Sequence, residues 1–305
     1  MKPDFDLIII GGGIAGMTAA IYAARANMSV LILEKQICGG LANQTYVVEN
    51  FPSYDSINGM DLMEKVKDQV EQLEVKIEEI NEVLRLDLAS DFKKVETDEN
   101  KYTAHSVILA SGRVPCPLPI ENDWEEHIHY CSICDGSLYE NKEVLVVGGG
   151  NSGFDESLYL ASLGVKSIHI IEMMDTFFAD QQTQDKVEKV ANIKATSGIG
   201  IIEIKPEGKK ANVIMQHATS GRIETELIDG IFVFIGQKPN TGFLDGKIDI
   251  DQQGYIMTDQ DLHTNIPGVF AAGDVIVKKY RQLTTAMSDG TIAAMEACQY
   301  INSVR

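Results

Sequence analysis

The sequence predicts an α/β chain built of two Rossmann-like three-layer domains, the second inserted in the first. Three observations carry this expectation. A strand, glycine loop, helix, strand pattern occurs twice; a proline-rich stretch and a later Gly-Gln-Lys-Pro stretch mark two crossings between domains; and 305 residues suffice for two cores of ordinary size.

The first copy of the pattern begins with the apolar run from Asp6 to Ile10, which is short, β-branched and bounded by glycine, as a buried parallel strand should be. It ends in Gly11-Gly12-Gly13-Ile14-Ala15-Gly16, a helix pattern follows from Met17 to Arg25, and a second run, Val30 to Leu33, closes on Glu34 and Lys35. The second copy runs Val144 to Val147, then Gly148-Gly149-Gly150-Asn151-Ser152-Gly153, a helix pattern from Phe154 to Leu163, and Ser167 to Ile171 closing on Glu172 and Met173. In both copies G-x-G-x-x-G follows a strand and opens a helix, and an acid lies roughly 20 residues beyond, the spacing of the dinucleotide-binding fingerprint. The glycines let a pyrophosphate approach the unpaired N–H groups at the helix N-terminus. The acid accepts from a ribose hydroxyl and repels a 2′-phosphate. A chain with two such units is expected to bind two dinucleotides, of which one is commonly a flavin.

The remaining segments fit between and around these units. An amphipathic helix from Asp61 to Glu74 carries Leu62, Val66, Val70 and Leu73 on one stripe and is given a packing role. Residues 75–102 and 198–227 read as short strands and hairpins. The strand pattern from Ser106 to Leu109 leads through Gly112 into Val114-Pro115-Cys116-Pro117-Leu118-Pro119, where the prolines rule out helix and central strand. The strand from Ile231 to Ile235 leads into Gly236-Gln237-Lys238-Pro239-Asn240, the return crossing. A last strand turns into Gly273-Asp274 before a helix from Thr285 to Asn302. The expected division is residues 1–114 with 243–305 for one domain and 115–242 for the other.

With 45 acidic against 26 basic residues, the net charge of −19 excludes a nucleic-acid partner. No apolar run reaches the roughly 18 residues of a membrane span. The N-terminal residues lack the basic and apolar regions of a signal peptide, and five cysteines, an odd number with only two closely spaced, do not make a secreted disulfide framework. A cytoplasmic location is expected.

Cys131 and Cys134 have the spacing of a dithiol that closes and reopens as a small disulfide ring. The competing reading, half of a zinc site, needs a second pair of ligands, whereas Cys38, Cys116 and Cys298 are scattered singly. His129 lies close enough in sequence to tune the pair, the blander reading being a surface histidine.

Taken in order, these motifs resemble the low-molecular-weight thioredoxin reductases over essentially the whole chain. The matching segments are Gly11–Gly16, Gly39-Gly40 followed by Glu49-Asn50-Phe51-Pro52, Cys131-Ser132-Ile133-Cys134-Asp135-Gly136, Gly148–Gly153, Gly273-Asp274 and Arg281-Gln282. The resemblance implies FAD on Gly11, Gly13, Ile14, Ala15, Gly16, Glu34, Lys35, Gly112, Gly273 and Asp274. Gly40, Leu41, Asn43, Asn50, Arg281 and Gln282 are expected nearer the flavin ring. It implies a nicotinamide dinucleotide on Gly148, Gly150, Asn151, Ser152, Gly153, Glu172 and Met173. It further implies that Cys134 is the flavin-proximal sulfur, Cys131 the one that attacks a partner, and Asp135 the acid. A homodimer is implied, as is a rotation between domains with hinges near Val114–Pro117 and Lys238–Gly242.

The chain departs from that family at one informative place. NADPH-using members carry a His-Arg-Arg run after the second strand of the second unit, and here the stretch reads Glu172-Met173-Met174-Asp175-Thr176-Phe177-Phe178. Losing those charge-assisted contacts and adding repulsion costs a 2′-phosphate ligand roughly 10²-fold or more. The stretch looks more like the NADH-using flavoprotein subunit of alkyl hydroperoxide reductase, without that protein's N-terminal thioredoxin-like module. The expected activity is therefore electron transfer from NADH through FAD and the Cys131–Cys134 disulfide to a separate thioredoxin-like or glutaredoxin-like protein. Alternatives are reduced ferredoxin as the donor, an NADH oxidase or peroxide-system component, and a non-catalytic redox-sensing flavoprotein.

Overall fold

The run Phe5–Ile10 forms strand β1 because its apolar side chains are covered on both faces between parallel neighbours. In the computed structural model, which describes residues 2–305, it is followed by α1 (Ile14–Arg25), β2 (Val30–Leu33), α2 (Gly59–Glu71), β3 (Lys76–Glu78), β4 (Val83–Asp87), β5 (Lys93–Thr97) and β6 (Lys101–Leu109). Next come β7 (Arg113–Pro115), β8 (Ile128–His129), α3 (Ser132–Asp135), β9 (Glu143–Val147), α4 (Asn151–Ser162), β10 (Ser167–Glu172), α5 (Gln181–Glu188) and β11 (Ile193–Ser197). The chain closes with β12 (Ile199–Glu207), β13 (Lys210–His217), β14 (Ile223–Ile228), β15 (Gly230–Val233), β16 (Gln237–Pro239), β17 (Val269–Ala271) and α6 (Leu283–Val304).

The elements group into two compact units, Met1–Val114 with Lys238–Arg305, and Pro115–Gln237. The return boundary falls earlier than the expected 242. Asn240 is already tied to the first unit: its N–H donates to the Gly112 carbonyl at 3.0 Å, and its own carbonyl accepts from the Ser111 hydroxyl at 2.7 Å. The two crossings pair with each other as the short strands β7 and β16, so the prolines permit a strand where no central-sheet position is required.

The first unit is a seven-stranded sheet ordered β3-β2-β1-β6-β5-β4, with β17 also on β6. β6 serves two partners on one edge: Lys101–Ala104 pair antiparallel with β5, and Val107–Leu109 pair parallel with β17. Helix α2 starts at Gly59 because the Asn58 side chain accepts from the N–H groups of Met60 and Asp61. Its Leu62 and Val70 are buried, with Val66 and Leu73 packed beside them.

In the second unit a five-stranded parallel sheet, β11-β10-β9-β15-β8, lies between helices and an antiparallel meander, β12-β13-β14. Alternation along the strands sends side chains to different cores. Val144, Val146, Ile168, Ile170 and Phe232 join Phe154 and Leu160 of α4. Leu145, Ile171, Ile231 and Val233 join Val213, Met215 and Ile228 of the meander. Among the described residues no helix is long and apolar enough to cross a membrane.

In the first unit α1 and α6 meet where neither has a side chain to spare: a Cβ on Gly290 would lie 2.2 Å from the Ala15 carbonyl oxygen. Gly290→Ala is therefore expected to destabilise the first unit by about 1–3 kcal/mol through overpacking. Thermal unfolding should show a lowered transition for that variant, and an unchanged midpoint would contradict the packing.

Candidate active site

Each glycine loop is closed by backbone on one side and open on the other. Gly11 has φ +110°, and a Cβ on Gly16 would lie 2.0 Å from the Gly11 carbonyl oxygen. Gly148 has φ +122°, and a Cβ on Gly153 would lie 1.9 Å from the Gly148 oxygen. At Gly13 and Gly150, by contrast, a Cβ would meet nothing within 4 Å. Strand, turn and helix thus pack as tightly as backbone allows and leave a free face at the helix N-terminus, where an anion is favoured.

The two acids sit in the same geometry. Glu34 accepts from the Gly12 N–H at 2.7 Å and from the Gln36 N–H at 2.8 Å. Glu172 accepts from the Gly149 N–H at 2.7 Å and from the Met174 N–H at 2.9 Å. Each carboxylate therefore ties the end of the second strand back to the glycine loop. The sequence placed these acids at the loops; that they clamp the loop backbone was not legible from spacing.

Around the first loop, Ile14 and Ala15 are buried in α1, and Gly273 lies against Ala15. Asp274 is 3.7 Å from the Arg113 guanidinium and 3.4 Å from Lys278 Nζ. Lys278 also pairs with Asp289 at 2.7 Å, and Asp289 accepts from the Gly273 N–H. Gly40, Leu41 and Asn43 lie on the turn Gly40–Gln44, where the Asn43 amide donates to the Cys38 carbonyl at 2.9 Å. The Asn50 amide donates to Gln282 Oε1 at 3.2 Å, joining two residues far apart in the chain. Arg281 donates to the Ile276 carbonyl and stacks on the Tyr255 ring at 4.0 Å. Gly112 has φ +63° with open space where a Cβ would be.

Among the described residues of this unit, four buried polar side-chain atoms lack a hydrogen bond: Asn81 Oδ1, beside the end of β3, and Asn43 Oδ1, Arg113 Nε and Asp274 Oδ1 among the residues just described. Buried polar atoms of this kind require an explanation, and together with the open glycine face they fit a polar dinucleotide such as FAD. Lys35 is exposed and paired with Glu82 at 2.7 Å; no hydrogen bond ties its side chain to the loop. Cys38 is a packing residue: burial, with Glu79 and Glu34 nearby, pushes its thiol up to about 12.

At the second loop, Asn151 Oδ1 accepts from the Asp180 N–H at 2.7 Å, tying the start of α4 to the segment before α5. Ser152 is exposed, as are Met173, Met174 and Phe178. No cation stands between Glu172 and Asp185 in the sequence.

Cys131 and Cys134 are joined as a disulfide, with Cα atoms 5.4 Å apart. The pair is asymmetric. Cys131 is buried and caps the N-terminus of α3, its Sγ accepting from the Cys134 N–H at 3.2 Å, whereas Cys134 is exposed. A sulfur that accepts a backbone N–H at a helix start is the one on which negative charge is favoured. Asp135 closes α3, its N–H donating to the Cys131 carbonyl at 3.2 Å.

Residues 5–290 match the pyridine nucleotide-disulphide oxidoreductase family. The chain belongs to that family. It is 41% identical over 304 residues to a "34.2 kDa protein in rubredoxin operon" of Clostridium pasteurianum, covering 98% of each chain. It is 36% identical over 314 residues to a thioredoxin reductase of Peptoclostridium acidaminophilum, covering 99% of each. The crystal structure of Lactococcus lactis thioredoxin reductase superposes with a TM-score of 0.91 at 37% identity, over 98% of this chain and all of the other. The family membership implies a flavin and a pyridine nucleotide, and makes the chain a thioredoxin-reductase-like oxidoreductase with a disulfide as electron acceptor. The resemblance read from the motifs thus extends over the full length.

The sequence offered His129 as a residue that could tune the pair, but neither its partners nor a second feature near the disulfide was legible there. His129 contacts both Asp135 and Tyr139, an arrangement no periodicity announces. Glu156, on α4, has one carboxylate oxygen buried without a hydrogen bond, as does the hydroxyl of Ser132 between the two cysteines. Burial pushes the Glu156 carboxyl up to about 7, the charge of Asp155 adding to the rise and the Ser132 hydroxyl opposing it. The i, i+4 position of Leu160 on the same helix, packed over Gly136, was the available signal that this face of α4 is covered.

Because the folded protein holds this proton above the ordinary carboxylate range, the associated stability is present at low pH and is lost as pH rises toward and through about 7. Glu156→Gln removes that loss. Its unfolding midpoint should exceed the wild-type one at about pH 8, by an effect on the order of 2 kcal/mol, and match it near about pH 4. A midpoint gap that does not change with pH would contradict the burial of this carboxyl.

Proposed function

We propose that the chain passes electrons from NADH, rather than NADPH, by way of FAD and the Cys131–Cys134 disulfide to a thioredoxin-like or glutaredoxin-like protein. The observation that carries the donor choice is Glu172. Both of its oxygens are engaged by backbone N–H groups, which holds the charge where an adenosine ribose is expected. A 2′-phosphate there would face Glu172 and Asp175 with no arginine or lysine among residues 173–178 to offset them. A ribose hydroxyl, which can donate, is accommodated by the same carboxylate. Exposed Met173, Met174 and Phe178 offer apolar surface to an adenine. That relatives of this length and identity are named thioredoxin reductases supports a thioredoxin as the acceptor.

FAD is assigned to Gly11, Gly13, Gly16, Glu34, Asn43, Asn50, Gly112, Gly273, Asp274, Arg281 and Gln282, and it supplies the two-electron link between nicotinamide and disulfide when bound. The chain's own groups do the rest. Two-electron reduction of the disulfide, with one proton, leaves a thiolate and a thiol. Cys131 carries the thiolate, because its sulfur accepts the Cys134 N–H. It attacks a partner disulfide, forming a mixed disulfide and releasing the partner's other sulfur, which takes a proton. Cys134 then gives up its own proton and closes on Cys131, restoring the disulfide and freeing the partner's second thiol. Asp135 is the group that moves these protons.

The test is to purify the yellow protein anaerobically and follow flavin absorbance after adding NADH, NADPH or reduced ferredoxin separately. NADH is expected to bleach the flavin at concentrations roughly 10²-fold below NADPH. Bleaching by ferredoxin alone would overturn the donor assignment.

A further inference from the structure

One polar chain in the second unit has no role in the steps just described. His129, on β8, has its side chain only 11% exposed, with Nδ1 3.2 Å from Asp135 Oδ2 and Nε2 2.6 Å from the Tyr139 hydroxyl oxygen. Its ring is also fixed by packing: the centroids of His129, Tyr139 and Phe232 lie 5.1–5.3 Å apart in all three pairs. Tyr139 takes its position only because residue 230 is glycine, since a Cβ there would lie 2.3 Å from the tyrosine ring. Sheet, turn and disulfide helix therefore converge on one imidazole.

The hydrogen bonds dictate its proton. A carboxylate can only accept, so Nδ1 must be the donor toward Asp135, and Nε2 then accepts from the tyrosine hydroxyl. Burial lowers the proton affinity of His129, the charge of Asp135 opposing that fall and His127 adding to it. Burial, with Asp135 and Asp229 nearby, pushes the Tyr139 hydroxyl up to about 12, so it stays protonated and donates. The other charged neighbour is Lys142, whose ammonium lies 5.0 Å from the Tyr139 ring centre. A neutral imidazole with a fixed tautomer thus presents one N–H to the carboxyl that follows Cys134.

We infer that His129 is the positioning residue for Asp135: clamped by Tyr139, it donates Nδ1–H to the carboxylate and fixes its orientation for proton exchange with the cysteine pair. This rests on the reading of Asp135 as the proton-moving group. His129 neither touches sulfur nor gains or loses a proton over the cycle; the proton moves between Asp135 and the thiol.

Without the donor, the carboxylate loses the partner that holds its orientation. The experiment is the pH profile of partner-disulfide reduction, per flavin-loaded chain, for wild type, His129→Phe, His129→Asn, Asp135→Asn and His129→Phe/Asp135→Asn. Phenylalanine keeps a ring in the aromatic cluster without the donor. Asparagine places an amide N–H where Nδ1 stands. The limb of the profile that Asp135→Asn abolishes should be weakened in His129→Phe, with exchange slowed about tenfold at neutral pH. It should return toward wild type in His129→Asn, and His129→Phe should add nothing to Asp135→Asn. A limb of undiminished height in His129→Phe, or an equal loss from that change in the Asp135→Asn background, would reduce His129 to a packing residue. A limb that survives Asp135→Asn would instead remove the acid reading itself, and the inference with it. Independently of turnover, ¹⁵N-histidine NMR of the oxidised protein should find His129 neutral and protonated at Nδ1 at about pH 7; the Nε2–H tautomer or an imidazolium would overturn the inference.

Discussion

Everything in this molecule depends on a backbone contact made twice. At Gly16 and again at Gly153, the helix after the glycine loop comes so close to the carbonyl of the loop's first glycine that a Cβ would lie within about 2 Å of it. That approach lets a parallel strand turn directly into a helix whose free N–H groups face open space at Gly13 and Gly150. The acid at the end of the next strand then ties its carboxylate to the loop, Glu34 to Gly12 and Glu172 to Gly149. Strand, loop, helix and acid form one rigid corner, and each unit is assembled around its copy.

What separates the two corners is their surroundings. The first is backed by Arg113, Asp274, Lys278 and Asp289, with buried polar atoms still seeking partners. The second opens onto Met173, Met174 and Phe178, in a stretch of sequence from 173 to 185 that holds no lysine or arginine. The same sheet that carries the second corner carries, through β8, the histidine beside Asp135, so the disulfide helix and the second glycine loop share one scaffold.

Much of this was legible in the sequence because the features are local and periodic. Both glycine fingerprints, their acids, the Cys131–Cys134 spacing and the proline crossing can be read along the chain. So could α2, although it begins at Gly59, ahead of the expected Asp61, because Asn58 caps it. What was not legible depends on long-range approach. Asn50 meets Gln282, and Asn240 locks onto Gly112, so that the return crossing lies before residue 242. For His129 the sequence left open a tuning role beside the cysteines and a plain surface position, because the two rings packed against it, Tyr139 and Phe232, sit on other elements. Glu156 gave no sign either, since a charge on a helix ordinarily faces water.

The central claim is that Cys131 and Cys134 form a second redox centre in series with the flavin. An anaerobic reductive titration of wild type and of Cys131→Ser/Cys134→Ser tests it most directly. The wild-type chain should take up about twice the electron equivalents of the variant before the flavin is fully bleached, with both proteins retaining their yellow colour when oxidised. Equal uptake by the two proteins would contradict the claim.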